Sequence, residues 1–317
     1  VINRVTVTGG AGFIGSHMVQ KLVAEGCRVT VVDNLRTGRY DFISSYPVKF
    51  IHGDILETEK MMTAIDGADW VVHLAANPDA RGERRGVQFN LEQNVLGTAS
   101  ILDAMNHVGT TRILYASSAS IYGNTSETPT PENFRMVPQA SFYGASKLAG
   151  EGLIAAYCEM YGFTGILGRW VHILGERYLH GHIIDFLRKL RRDPTQLHIL
   201  GDGQQAKSGL HAANLVDGLW ATMQHHDSQE GICEPYNFGG DTLLTVADSA
   251  QLICDTIGVN PIYTFSGRKD GGWVGDNPHL VLDSTKARQL GWVPTMSVPE
   301  GIRTTVKYLT GRRCSYL

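Results

Sequence analysis

Tyr143 and Lys147 stand four residues apart in Ser141-Phe142-Tyr143-Gly144-Ala145-Ser146-Lys147-Leu148. Residues so spaced share one face of a helix, so an ammonium can lie beside a phenol. An ordinary phenol, with a pKa near 10, is a poor base at neutral pH. Bringing it to about 7 requires roughly 4 kcal/mol, and a neighbouring cation is one of the few groups able to supply that. The pair is therefore suited to proton transfer at a hydroxyl group undergoing oxidation or reduction. The same spacing fits an amphipathic surface helix, so the elements around it must decide.

The first of these elements opens the chain. Arg4-Val5-Thr6-Val7-Thr8 reads as a short buried strand, and Gly9-Gly10-Ala11-Gly12-Phe13-Ile14-Gly15-Ser16-His17 turns from it into an apolar-periodic helix over 18–24. A strand, a glycine turn and a helix start form a pyrophosphate cradle. Backbone N–H groups and the helix dipole face the anion, and the missing side chains let it approach. Gly9, Gly12 and Gly15 have GxxGxxG rather than GxGxxG spacing. A second strand, over 28–32, ends in Asp33, whose carboxylate would accept hydrogen bonds from an adenosine ribose and repel a 2′-phosphate. These residues predict a bound dinucleotide, NAD rather than NADP, with Arg36 nearby pointing the other way.

The 317 residues can bury a large core and suggest two domains, or one with a large annex. A net charge of −3 argues against nucleic acid or an anionic membrane as the main partner. Cys27, Cys158, Cys233, Cys254 and Cys314 are widely spaced with no CxxC pair, so neither a disulfide framework nor a zinc site is expected. His180, His182, His225 and His226 raise a metal reading. The pair His225-His226 has no carboxylate at ligand spacing, and no metal is expected. No apolar run approaches the ~20 residues of a membrane helix and no signal peptide is visible, so a reducing cytoplasm is the expected compartment.

Strand and helix patterns alternate as a parallel sheet requires. Further strands are expected over 48–51, over 69–74 before the small residues Ala75-Ala76, over 112–116 before Ser117-Ser118, and over 164–167. A long helix is expected over 87–107. This predicts an α/β fold: a doubly wound parallel (Rossmann) sheet of six or seven strands over residues 1–168, binding ligands at the carboxyl ends of its strands. Beyond about Gly168 the alternation weakens. Residues 169–317 are expected to form a smaller α/β substrate-binding lobe, with segments near 212–240 returning to the first domain. Arg81, Arg84 and Arg85 fall in a glycine-punctuated loop after the fourth strand, either lining a sugar or diphosphate or solvated.

Taken together, the glycine turn over 8–17, Asp33, Asp54, His73-Leu74-Ala75-Ala76, Asn94, Ser117-Ser118-Ala119-Ser120-Ile121-Tyr122-Gly123, Tyr143 with Lys147, Gly201-Asp202-Gly203 and Leu290-Gly291-Trp292-Val293-Pro294 resemble the extended short-chain dehydrogenases/reductases. Within them the chain is most similar to nucleotide-sugar epimerases such as UDP-glucose 4-epimerase. The resemblance covers nearly the whole chain. It implies a bound, recycled NAD, held by Gly9, Gly12, Phe13, Ile14 and Gly15 and by Asp33, Asn34, Asp54 and Ile55. Leu74, Ala75, Ala76, Asn94, Ser117, Tyr143 and Lys147 would complete that set. It also implies that Tyr143 removes a hydroxyl proton while hydride leaves the adjacent carbon, and that the keto-sugar turns over and takes the hydride back on its other face. In that scheme Lys147 hydrogen-bonds the nicotinamide ribose and lowers the Tyr143 pKa, and Ser118 holds or relays the proton.

The residues after Ser118 separate the reaction types. Similar 4,6-dehydratases carry an Asp-Glu pair just after the matching hydroxyl residue, and similar decarboxylases carry Glu where Ser120 stands. This chain has Ala119 and Ser120. The resemblance then implies an NAD-dependent epimerase inverting a hydroxyl centre, expected at carbon 4, of a nucleoside-diphosphate sugar. A nucleotide-sugar 4,6-dehydratase or an NAD(P)-dependent reductase is the alternative reaction, and a non-catalytic dinucleotide-binding sensor is the alternative of another class. The implied substrate contacts are Ser118, Tyr143, Arg81, Lys207, His211, Arg268 and His172. Of these, His172 replaces the family's Asn in Arg169-Trp170-Val171-His172, and Lys207 replaces an Arg and so lacks its bidentate fork. A homodimer, formed by pairing the helices over 87–107 and 143–161 into a four-helix bundle, is also implied.

Overall fold

Short β-branched runs buried on both sides build the strands of a parallel sheet here, because helices must cover both of its faces. The structure, a computed structural model, describes residues 1–79, 86–125, 127–135, 137, 139, 141–266 and 279–311. The chain begins with β1 (Arg4–Thr8), α1 (Phe13–Ala24), β2 (Arg28–Asp33), β3 (Val48–His52), α2 (Thr58–Ile65) and β4 (Trp70–His73). It continues through α3 (Gly86–Asn90), α4 (Gly97–Val108), β5 (Arg112–Ala116), α5 (Phe142–Tyr161) and β6 (Thr164–Trp170). Then follow β7 (His172–Leu174), α6 (His182–Arg192), β8 (Gln196–Ile199), β9 (Ala206–His211), α7 (Ala212–His226) and β10 (Cys233–Phe238). The last described elements are β11 (Leu243–Thr245), α8 (Val246–Ile257), β12 (Ile262–Phe265), β13 (His279–Leu280), α9 (Thr285–Arg288) and α10 (Val298–Thr310).

Seven parallel strands form the main sheet in the order β3-β2-β1-β4-β5-β6-β10. The order reverses between β1 and β4, and a doubly wound sheet opens its ligand crevice at that switch point. Strand side chains alternate between two cores. Val5, Val7, Val31, Val72 and Leu114 meet Met18, Val19 and Leu22 of α1 and Leu215 and Leu219 of α7. Val71, Ile113 and Tyr115 meet Met61 and Ile65 of α2, Ile101 and Met105 of α4 and Ile154 of α5. Each such aliphatic side chain, fully buried, stabilises the fold by ~1.5–3 kcal/mol.

The remaining strands form a four-stranded sheet centred on β9 and a two-stranded β8–β12 pair. Helices α6, α8 and α10 share a third core there, with Ile183, Leu187, Ile253, Ile302 and Val306. Two details differ from the sequence pattern. Strand β6 continues through Arg169 and Trp170, and the long helix expected over 87–107 is α3 and α4 joined by a π-helical turn, Leu91–Leu96. Among the described residues no helix is long and apolar enough to cross a membrane.

Candidate active site

A cleft of about 1020 Å³ runs along the carboxyl ends of β1, β4 and β5 and beneath the second lobe. Gly9, Gly12, Phe13, Ile14 and Gly15 line one end of it. Gly9 has φ +70°, and a Cβ there would lie 2.6 Å from the Ala75 nitrogen. A Cβ on Gly15 would lie 2.1 Å from the Gly9 carbonyl oxygen. The turn therefore closes on α1 and on the end of β4 at backbone distance. Gly12 is the N-cap of α1 and no side chain caps it, so the first N–H groups of the helix are left for a ligand. Gly15→Ala is expected to cost roughly 1–3 kcal/mol of stability and to weaken dinucleotide retention. Unchanged melting together with full cofactor content after gel filtration would refute this account of the turn.

Asp33 ends β2 with 8% of its surface exposed. Its two carboxylate oxygens accept the Ala11 N–H at 3.0 Å and the Leu35 N–H at 2.8 Å. Burial pushes this carboxyl above its usual range, and the two N–H groups pull against that shift. Arg36 also lines the cleft, its guanidinium 4.4 Å above the Phe89 ring. Asn34, Ile55, Leu74, Ala75, Ala76 and Ser117 line it too. Asp54 and Asn94 are not in its wall. Asp54 accepts from the Asn34 amide at 2.8 Å and so positions that residue. Asn94, in the π turn, accepts the Asn77 N–H at 2.7 Å and donates to the Ser146 hydroxyl at 2.9 Å, tying the loop after β4 to α5.

Helix α5 starts at Ser141, whose hydroxyl accepts the Gly144 N–H at 3.0 Å. That start sets Tyr143 and Lys147 in the cleft wall beside Ser117 and Ser118. Ser118 both lines the cleft and caps a short 3-10 turn: its hydroxyl accepts the Ser120 N–H and donates to the Ser120 hydroxyl, each at 3.1 Å. Lys147 is buried, donates to the Ala116 carbonyl at 2.9 Å, and holds its Nζ 5.9 Å from the Tyr143 ring centre.

The protein alone does not lower the Tyr143 pKa as the pairing predicts. Burial pushes the phenol up to about 12, with only the Ser118 hydrogen bond pulling it down. The same burial brings Lys147 down to about 7, so the cation meant to activate the phenol is itself desolvated. Lys147 also carries a linkage. Its pKa falls from roughly 10.4 unfolded to about 7 folded, so between those values the unfolded chain binds more protons and stability rises with pH. Wild-type protein is expected to gain stability over Lys147→Met from pH 7 to pH 10 in urea unfolding. Parallel pH curves for the two proteins would overturn this.

On the facing wall stand His172 of β7, Lys207 of β9, and His180, His182 and Asp185 at the start of α6. The His172 ring lies 4.8 Å from that of His182, and its Nε2 is buried with no hydrogen-bond partner. Burial, then the charge of Lys207, brings its pKa down to about 4. His211, expected to touch substrate, is not in the cleft wall. Its Nδ1 accepts the Ala213 N–H at 3.2 Å as the N-cap of α7, and its Nε2 lies 3.5 Å from a Glu176 carboxylate oxygen. Arg81 and Arg268, with Arg84 and Arg85, lie outside the described residues. Among the described residues no cluster of His, Cys, Asp and Glu is placed to hold a metal ion.

Behind the Ser117–Ser118 strand end lies a buried polar network that the sequence pattern did not reveal. Glu151 of α5 accepts the Ser117 hydroxyl at 2.5 Å and pairs with Arg169 of β6 through bonds of 2.9 and 2.7 Å. Arg169 also donates to the Tyr122 hydroxyl, which donates in turn to Asn237 of β10. Glu151 follows Lys147 by the same four residues that separate Lys147 from Tyr143. That repeat was the available clue, since one helix face carries all three.

A family model described as the NAD dependent epimerase/dehydratase family matches residues 5–239. The chain belongs to this family. The putative UDP-glucose 4-epimerase of Methanocaldococcus jannaschii is 29% identical over 96% of this chain and 98% of its own length. A crystal structure of a UDP-galactose 4-epimerase shares 34% identity with a TM-score of 0.87, covering 96% of this chain and 98% of that one. The Thermus thermophilus UDP-glucose 4-epimerase in complex with NAD shares 28% identity with a TM-score of 0.85, covering 98% and 99%. The likeness spans other reactions as well. Proteins named UDP-glucuronic acid decarboxylase 1, from Arabidopsis thaliana, and dTDP-glucose 4,6-dehydratase, from Streptomyces venezuelae, match at 29% and 28% identity. NAD is the cofactor of the epimerase/dehydratase family, and this chain's residues fit it: an uncapped helix start and a side-chain-free turn for a diphosphate, and Asp33 for a ribose.

Proposed function

We propose that this member of the epimerase/dehydratase family is an epimerase, inverting a hydroxyl-bearing carbon, carbon 4, of a nucleoside-diphosphate sugar through a keto intermediate. The observation that carries this reading is the wall beside Ser118. Ala119 is fully buried, and Ser120 offers only a hydroxyl, bonded to Ser118. Eliminating water from a sugar needs an acid and a base beyond the pair that moves the hydroxyl proton, and these two positions supply neither. Simple oxidation and re-reduction is the chemistry such a wall favours.

NAD, when bound, supplies a hydride acceptor that becomes the donor of the return step. Tyr143 takes the substrate hydroxyl proton and later gives one back, and Ser118 holds the reacting oxygen. Lys147 fixes the ribose beside them. Lys207 serves the diphosphate as a point charge, and His172 offers it the free Nε2. In this reading residues 1–168, with 212–240, hold NAD and the reacting hydroxyl, and the rest of the chain holds the remainder of the sugar nucleotide. The protein works as a homodimer through the helices over 87–107 and 143–161, on or beside which Leu91, Leu96, Met160 and Tyr161 are exposed. Light scattering at micromolar concentration checks this, and a monomeric mass counts against it.

The reaction itself is tested by incubating the purified protein with UDP-, GDP-, CDP-, ADP- and dTDP-sugars and resolving products by NMR. An isomer of unchanged mass is the expected product. Loss of water or of carbon dioxide would replace the epimerase by a dehydratase or a decarboxylase, and dependence on added NADPH would replace it by a reductase.

A further inference from the structure

We propose that Cys158 and Cys233 are an oxidisable dithiol, a modification site at which a peroxide-class oxidant staples α5 to the edge strand β10. Cys158 lies near the end of α5 and is buried, and Cys233 opens β10 and is partly exposed. Strand register sets Cys233 beside Gly165 of β6. A Cβ built on Gly165 would lie 3.0 Å from the Cys158 sulfur and 3.7 Å from the Cys233 sulfur, so both thiols converge over one glycine. The two thiols also interact with each other, and the thiolate of either is the form that reacts.

The other described cysteines have no such neighbour in the same positions. The Cys27 thiol donates to the Ile2 carbonyl, and Cys254 is packed in the core of the second lobe. The proposed chemistry balances in two displacements. One sulfur, as thiolate, attacks a peroxide oxygen: an S–O bond forms, the O–O bond breaks, and the departing oxygen takes up a proton and leaves as water. The second thiol then attacks that sulfur, so the S–S bond forms, the S–O bond breaks and a second water leaves. Two electrons pass from the thiols to the peroxide. Neither step involves the cleft residues, so the proposal stands apart from the reaction assigned above.

The test treats the full chain with hydrogen peroxide at neutral pH, alkylates it in denaturant, digests it and maps the peptides by mass. The expected result is a crosslinked pair of peptides containing Cys158 and Cys233, lighter by two hydrogens than the separate thiols and released by dithiothreitol. The oxidised protein should also melt at a higher temperature, because the link closes a long loop of the unfolded chain. Recovery of both cysteines as alkylated singles overturns the proposal. So does over-oxidation of either without the link, or a link from either to Cys27, Cys254 or Cys314. Cys158→Ser and Cys233→Ser should each abolish the crosslink and the melting shift. If either variant fails to fold, the wild-type peptide map decides alone.

Discussion

Tyr143→Phe is expected to lower kcat by roughly 10²–10⁴-fold, the usual worth of a positioned proton-transfer group, with the fold and NAD content unchanged. Phenylalanine keeps the ring that packs at the head of α5 and removes only the hydroxyl. That hydroxyl interacts with Ser118 and lies in the cleft wall with Ser118 and Lys147. Because its action lies in the transition state, kcat and kcat/KM should fall together. The measurement is steady-state turnover of whichever sugar nucleotide the NMR survey identifies, with bound NAD quantified on the same samples. Activity within tenfold of wild type would remove Tyr143 from proton transfer and, with it, the epimerase mechanism.

Glu151→Ala is expected to cost about 3–5 kcal/mol of folding stability, because it leaves the Arg169 guanidinium buried and uncompensated. Burial works against the Arg169 charge, yet the hydrogen bonds and charge of Glu151 more than offset it and hold the guanidinium above its usual value. Both side chains are buried, at 5% and 4% exposure, so solvent cannot take over for the lost partner. Against a total of roughly 5–15 kcal/mol for a typical domain, this is a large fraction. Replacing both, as Glu151→Leu with Arg169→Met, should recover much of the loss, since no unpaired charge then remains. Urea unfolding of the singles and the double checks this. A loss below about 1 kcal/mol in Glu151→Ala would mean that the pair is solvated in solution.

The parts of the site legible in the sequence are those whose chemistry restricts the backbone. A diphosphate cradle demands glycine where a Cβ would strike neighbouring backbone, so Gly9 and Gly15 announce themselves by type and spacing. Tyr143 and Lys147 do so by helical period. Directions of pKa shift are not written that way, because they depend on what β4 and β5 pack around the pair, and burial reverses the sign expected for Tyr143. His211 has the residue type of a ligand, but its place at the junction of β9 and α7 makes it a cap. Asn94 belongs to the helix expected for it and reaches Ser146 rather than the cleft. Strand β6 reads as ending near Leu167, yet it runs on through the charged Arg169. Its neutralising partner, Glu151, comes from another element, and no local pattern shows that the two meet.

The place of β10 in the sheet has a consequence for how the chain is made. Strand β6 follows its β5 partner in the chain, but the partner of its other flank, residues 233–238, comes only after β7, α6, β8, β9 and α7. Throughout that interval its outer N–H and C=O groups form an open template of the kind that recruits stray strands. On the ribosome, the hazard for this protein is therefore timing: the sheet stays unfinished until much of the second lobe has been translated.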